Sequence, residues 1–422
     1  MIEVCKKLYK IYRSITGSGV KESLEIIKTY IPIEIKSVES GTKCFDWNIP
    51  PEWNIKDAFV IDLNTNKRVI DFNDHNLHLV GYSIPINEIV SFENLVSHLH
   101  YIKEQPNAIP YVTSYYNKNW GFCLTYNAFI NLDRNASYHV VIDSSFNEKG
   151  QLHYGELLIP GKSKEEILLS TYICHPQMVN NELSGPAVLT FLANDIFKNK
   201  RYNFYSYRII FIPETIGSIT YLSLNFNRLK KFVVGGFVIT CVGDERAWGH
   251  IPSRLGNTIS DRIARNVLTF NTSNFEQYSW LDRGSDERQF CSPGVDLPIS
   301  SITRSKYGTY KEYHTSLDNF DLVTERGLNE SLEIYLKCID VFEKNCYPKI
   351  NVLCEPQLGK RSLYPNISTV DSGKKVRNLM NVISFCDGNN SLLDISEICH
   401  LSFSEVYGLY MELLKSDLLI SE

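Results

Sequence analysis

Apolar positions along this chain follow two rhythms, and the change between them divides it. Near the N-terminus Ile11, Ile15, Leu24 and Ile27 recur at helical spacing, which predicts helix over 1–30, interrupted by the turn Thr16-Gly17-Ser18-Gly19. From about residue 38 to 131 the apolar runs shorten to 58–63, 109–116 and 120–125, broken by Asn, Asp, Gly and Pro. That texture predicts a small β-rich domain set into or ahead of the main one. Runs at 139–145 and 151–159, parted by Asn147-Glu148-Lys149-Gly150, read as a hairpin. Strand-like and helix-like stretches then alternate at 167–173, 183–197, 207–212, 218–225, 232–241, 258–269 and 297–303, before a long helix near 325–343. Such alternation predicts an α/β fold with a doubly wound, mostly parallel sheet. A linker containing Pro348, Pro356, Gly359 and Pro365 leads to helical stretches at 376–386, 392–399 and 403–416 and a terminal apolar strand, the pattern of a winged helix. The expected organisation is an N-terminal helical part at 1–37, an inserted β-rich domain at 38–132, a catalytic domain at 133–346, a linker at 347–371 and a winged-helix-like domain at 372–422.

Length and charge narrow the function classes. A chain of 422 residues suits two or three domains. Its net charge of -5 gives no basic footprint for nucleic acid. Within 372–422, Lys374, Lys375, Arg377 and Lys415 are outnumbered by Asp387, Asp394, Glu397, Glu405, Glu412, Asp417 and Glu422. A phosphate-binding face needs the opposite balance, so no nucleic-acid partner is expected despite the winged helix. A docking or dimerisation module is the expectation there, giving a homo-oligomer through the C-terminal domain. The 11 cysteines form no C-x-x-C pair and read as free thiols in a reducing cytosol. The first residues lack the apolar core of a signal peptide, and no stretch has the length of a membrane span. The expectation is a cytoplasmic protein with no membrane partner.

Candidate chemistry gathers where apolar runs end. In open α/β sheets ligands bind at the carboxyl ends of strands. His175 follows the run 167–173, with Glu182 and Ser184-Gly185-Pro186 close behind; Glu214 closes the run 208–213; His314 lies in Tyr313-His314-Thr315. Two strand-end imidazoles suggest a metal, since neutral imidazole is the commonest zinc ligand. Each histidine would equally serve by bonding a loop. A partly desolvated Glu214 has a raised pKa and suits a general base, or else it caps the helix that follows. Arg288, after Gly284-Ser285-Asp286-Glu287, could clamp a carboxylate or sit in a salt-bridged loop. Asp318 could orient the His314 imidazole, or cap a helix.

On these residues the chain resembles a known group. The strand-end His175, the run Asn181-Glu182-Leu183-Ser184-Gly185, Glu214 before Gly217-Ser218, Ser285-Asp286 leading to Phe290, and Tyr313-His314-Thr315 resemble the co-catalytic zinc aminopeptidases, the group of bacterial leucine aminopeptidases and glutaminyl cyclases, over 134–345. With Arg13-Ser14-Ile15-Thr16-Gly17, Asn119-Trp120-Gly121-Phe122-Cys123, Cys174-His175-Pro176 and 284–291, the whole chain resembles a bacterial aminopeptidase-like family with an inserted domain of unknown function and a C-terminal winged helix. The resemblance implies a zinc-aminopeptidase-type fold. It also exposes departures: Asn181, Thr215 and Thr240 stand where that pattern has a bridging aspartate, a ligating glutamate and a ligand aspartate. Neutral side chains cannot balance two dications, so one divalent ion, zinc by donor type, is the expected cofactor.

The reading that follows is a metal-dependent amide or peptide hydrolase acting on a small-molecule or short-peptide substrate. Its ion would be held by His175, His314 and a carboxylate, with Glu182 favoured and Asp244 or Asp286 as alternatives. Glu214 would be the base, and Asn181, Asp244, Asp286, Arg288 and Asp318 would bind substrate or support the ligands. Trp120 and Tyr115 of the inserted domain would wall the cleft. Two rivals keep the fold and change the role: a metal-free binding or scaffold protein, and a ligand-sensing regulator acting through the winged helix.

Overall fold

A computed structural model describes residues 1–199, 204–363 and 370–420, which form two compact units. The first comprises 1–261 and 275–333; the second comprises 262–274 and 334–422. An eight-stranded sheet organises the first. Its order is Glu34–Glu39, Gln151–Ile159, Ser206–Ile212, Glu166–Tyr172, Val233–Val238, Ile299–Thr303, Gly249–Ile251 and Glu276–Gln277. The middle is parallel: Glu166–Tyr172 pairs in parallel with the strands on both sides, and Val233–Val238 does so with Ile299–Thr303. Antiparallel pairings at Glu34–Glu39, Gln151–Ile159 and Gly249–Ile251 flank that middle. Every residue of Glu166–Tyr172 and Ser206–Ile212 is buried, as strands covered on both faces require. This explains their unbroken apolar runs.

Helix Ser184–Lys198 packs on Glu166–Tyr172 unusually closely. A Cβ on Gly185 would lie 2.3 Å from the Ile239 carbonyl oxygen and 2.5 Å from Thr171 Oγ1, so only glycine permits the approach. The Ser184-Gly185 pair thereby sets the distance between the helix and the residues that follow the central strand.

A second sheet has the order Lys67–Asp71, Glu52–Asp62, Ser137–Asn147 and Ile86–Ser91. It corrects the expected hairpin. Ser137–Asn147 pairs with Glu52–Asp62 and Ile86–Ser91, while Gln151–Ile159 pairs with Glu34–Glu39 and Ser206–Ile212. The turn between them hands the chain from one sheet to the other. The interrupted helix expected over 1–30 is the pair Ile2–Tyr9 and Ser18–Lys28, with the break spanning 10–17, so Ile11 and Ile15 fall outside both helices.

In the second unit, helices Val370–Ser384, Leu392–Cys399 and Phe403–Lys415 pack together. Isolated bridges join Lys349 to Asp387 and Ile350 to Leu419. Ser391 with Asp394, and Ser402 with Glu405, form capping boxes that satisfy the first amides of the last two helices. Pro365 of the expected linker and the terminal Glu422 lie outside the described residues. Among the described residues no helix is long and apolar enough to cross a membrane.

Candidate active site

Three segments leave the carboxyl ends of the parallel strands, or the loops beside them, and converge on one cavity of about 510 Å³. The first carries His175, three residues past the buried strand Glu166–Tyr172, whose alignment continues through the Ile173 amide to the Ile212 carbonyl at 2.8 Å. His175 Nδ1 lies 2.9 Å from Glu182 Oε2, and Nε2 lies 3.6 Å from Glu214 Oε2. The imidazole is thus fixed on one edge and offered to the cavity on the other. Burial works against charge on this ring, but the Cys174 sulfur and the Glu182 carboxylate outweigh it and hold its pKa well above the ordinary histidine range.

Glu182 sits in the turn Val179–Leu183, fully buried, and its second oxygen accepts a hydrogen bond from Arg13 Nε at 3.1 Å. Arg13 is itself fully buried and donates from Nη1 to the Leu8 carbonyl at 2.6 Å. The expected third metal ligand therefore faces away from the cavity, and its charge is spent on a guanidinium and on Nδ1. Its place is that of a carboxylate that orients the His175 imidazole.

Glu214 follows Pro213 at the end of Ser206–Ile212. Immediately after it, Thr215 has φ 63° and ψ -76°, and the Ile216 amide bonds back to the Glu214 carbonyl at 2.8 Å. This is the strained form of the three-residue γ-turn, rare for a β-branched residue. It ends the strand abruptly and starts helix Ile216–Phe232, leaving the Glu214 carboxylate at the corner. Burial raises the pKa of that carboxyl, against the pull of His175 and Arg288.

His314 occupies the third segment in a left-handed conformation, φ 56°. Its ring stacks on Tyr313 at 3.9 Å and meets the edge of Tyr111 at 5.0 Å. Burial and the neighbouring His175 lower its pKa to about 3, so this ring is neutral. The two imidazole centroids lie 5.7 Å apart, with Tyr111 against both. Tyr111 is held in register by a backbone bond from its amide to the His314 carbonyl, 2.8 Å.

The remaining expected residues divide into those that edge the cavity and those that brace it. Arg288 lines it, donating to Thr215 Oγ1 at 2.6 Å and to the Ser285 carbonyl at 3.2 Å. Asp286 stands behind, accepting from the Thr215 amide and the Ser218 hydroxyl; burial and Glu214 push its pKa up to about 7. Asp244 does not reach the cavity. It accepts from Asn180 Nδ2, from the Ser305 amide and hydroxyl, and from the Arg246 amide, pinning two loops together. Asp318 does not orient His314 either. The left-handed turn at 314 redirects the chain, and the Asp318 carboxylate instead accepts the amides of Val179, Asn180 and Asn181 at 3.2, 2.6 and 2.9 Å. Trp120 stacks on His98 at 3.6 Å and is not part of the lining, whereas Tyr115 is.

Sequence reasoning missed Trp47, Tyr111 and Tyr116, which come from distant segments, and had read Arg13 only as part of a motif. Cys174 had been read only as part of a motif. Its Sγ accepts the Glu214 amide at 3.2 Å, and burial pushes its pKa up to about 11, so it is no activated nucleophile.

The donor set can be tested against a metal. Among the described residues the close cluster of three candidate ligands is Cys174, His175 and Glu182, but Arg13 and Nδ1 already engage Glu182. The donors facing the cavity are His175 Nε2, the His314 ring and Glu214. Asn181, which stands where the resemblance implies a bridging aspartate, joins a neutral network: the Tyr172 hydroxyl donates to Asn181 Oδ1 at 2.9 Å and accepts from Thr240 Oγ1 at 2.6 Å, while Asn181 Nδ2 is buried without a partner. Among the described residues His175, His314 and Glu214 are not a group with all ligand atoms within 4.8 Å of one another, so an ion would have to draw the two rings together.

A parallel-centred sheet with imidazole and carboxylate at its strand ends, followed by a winged helix, defines an aminopeptidase-like α/β protein. The chain belongs to the family described as Domain of unknown function (DUF4910), whose model matches residues 2–345, and a winged helix-turn-helix model matches 345–421. It is 45% identical over 403 residues, 95% of this chain and 91% of the other, to a Clostridium acetobutylicum protein named "Putative polysaccharide biosynthesis protein with aminopeptidase-like domain". A crystal structure of a "putative peptidase" from C. acetobutylicum superposes with a TM-score of 0.92 at 43% identity, covering 99% of this chain and 95% of that one. The zinc aminopeptidase BSAP from Bacillus subtilis has the same core fold, with a TM-score of 0.56 at 10% identity over 80% of this chain and 93% of that one.

Proposed function

We propose that the protein is a peptidase-type hydrolase that cleaves an amide in the cavity between His175 and His314, with one divalent ion, zinc by donor type, held by those two imidazoles. The observation that carries this reading is His175 itself, braced by Glu182 on Nδ1 while Nε2 faces Glu214 and the cavity. An ion bound there supplies a Lewis acid toward the scissile carbonyl and makes water a better nucleophile at neutral pH. Glu214 takes the proton from the attacking water and returns it to the leaving amine, a task suited to a carboxylate whose pKa burial has raised. Tyr111 packs against both rings. The γ-turn at Thr215 fixes the Glu214 carboxylate at the cavity edge.

The Clostridium relative's name joins an aminopeptidase-like domain to polysaccharide biosynthesis, which places sugar-linked amides beside peptides in the substrate panel. Purified without chelator, the protein is expected to hold close to one equivalent of zinc, and removing it should abolish amide hydrolysis. Folded protein that binds no metal at neutral pH would overturn the reading. A second reading, a binding protein on this fold, is favoured by the neutral Tyr172–Asn181–Thr240 network; ligand retention without turnover would identify it.

A further inference from the structure

An enzyme that recognises a free α-amine needs a carboxylate to receive the ammonium group. Among the described residues the charged and ionisable side chains lining this cavity are Cys174, His175, Glu214, Arg288, His314 and three tyrosines, so Glu214 is the sole carboxylate among them and is already assigned as the base. Arg288 meets the cavity with the opposite charge. Its hydrogen bonds go to the neutral Thr215 Oγ1 and the Ser285 carbonyl, and it has no ion-pair partner among the described residues. Two anchors aim the guanidinium and leave donors unspent. Thr215 is fixed in turn by its amide bond to Asp286 at 2.8 Å. The N-terminus of helix Ile216–Phe232 also ends at this wall, adding positive potential.

The same cavity has an aromatic lining. Tyr115 lines it, its hydroxyl 2.8 Å from that of Tyr111, and Trp47 packs edge-on against Tyr116 at 6.1 Å. Trp47 and Tyr116 are 40% and 54% exposed, so this aromatic pair is open to an incoming ligand. A planar guanidinium without an ion pair, lining one cavity with aromatic rings, matches a planar monoanion on a ring-bearing or apolar body.

We infer that the substrate carries a carboxylate near the scissile amide, gripped by Arg288, with its apolar or ring face against Trp47 and Tyr116. This selectivity rests on the hydrolase reading, but binding tests it separately. The carboxylate could belong to an amino acid or to a sugar acid; both present the same group to Arg288.

Calorimetry on the intact chain with N-acetylphenylalanine, its carboxamide and glucuronate distinguishes these. N-acetylphenylalanine should bind at least about 10-fold more tightly than its carboxamide, the difference expected for one charge-assisted contact. Arg288→Gln should collapse that ratio to near one, with Arg288→Lys keeping part of it and circular dichroism verifying the fold of both. If glucuronate binds more tightly than N-acetylphenylalanine, the carboxylate is a sugar acid's; the reverse order assigns it to an amino acid. Carboxylate binding that depends on Arg288 without turnover of any amide supports the inference and sinks the hydrolase reading. Equal affinity for acid and carboxamide, a ratio untouched by Arg288→Gln, no binding of either acid, or faster hydrolysis of aminoacyl anilides than of N-acylated acids would each overturn it.

Discussion

The two sides of the cavity hold the same residue type in opposite ways. His175 stands at the end of a buried strand within a chain of charges, Arg13 to Glu182 to imidazole to Glu214. His314 stands on a loop in a left-handed turn, held by two tyrosine rings and by no charge of its own. One ring has its pKa driven up and the other driven down to about 3. Electrostatics fix the first side and packing fixes the second, so the two should fail differently when disturbed.

The largest expected effect lies on the charged side. Glu214→Gln should lower kcat by about 10²–10⁴-fold while zinc content stays unchanged, measured by amide turnover and elemental analysis. Unchanged turnover would remove Glu214 from the chemistry. Next, Arg13→Met removes the guanidinium from buried Glu182, leaving only His175 Nδ1 on it, and should cost up to about 3–5 kcal/mol in urea unfolding, the usual penalty for halving a buried pair. A loss below about 1 kcal/mol would show that the charged side is not held as described.

Asp261, outside the cavity, offers a yardstick for buried charge. Against the upward push of burial, His250, Ser253 and Thr258 hold its pKa down to about 2. A carboxyl lowered on folding adds stability above its unfolded value near 3.8 and loses it as pH falls toward 2, which amounts to about 2 kcal/mol. Asp261→Asn should flatten that part of the acid-unfolding curve. The smallest effect belongs to the packed side: Tyr313→Leu removes the stack on His314 and should cost about 0.5–1.5 kcal/mol in thermal unfolding. A cost above 3 kcal/mol would mean the loop is held as tightly as the strand end.

What the sequence disclosed follows the same division. His175, Glu214 and His314 could be found because each sits where an apolar run stops, and strand-end position is a local signal. Arg13 could not be matched to Glu182, since 169 residues separate them and no periodicity links a turn after the first helix to one after the central strand. Tyr111 and Trp47 lay hidden for a related reason, in segments whose broken apolar pattern foretold strands and said nothing of which cavity they would wall. Asp318 shows the opposite difficulty. Its nearness to His314 in sequence suggested a partnership that one left-handed residue cancels. The 137–147 and 151–159 strands were each recognisable, but partner choice depended on edges built by distant residues.

The corner at Thr215 also bears on how this protein can change over generations. A side chain in that backbone region stores strain of order 1–3 kcal/mol, which glycine would relieve at once. Glycine would also delete the hydroxyl that steadies Arg288 and slacken the support of Glu214. Selection for a sturdier fold alone should therefore enrich glycine at 215 and erode the site, so lineages that keep the threonine bear a standing mutational load at this corner.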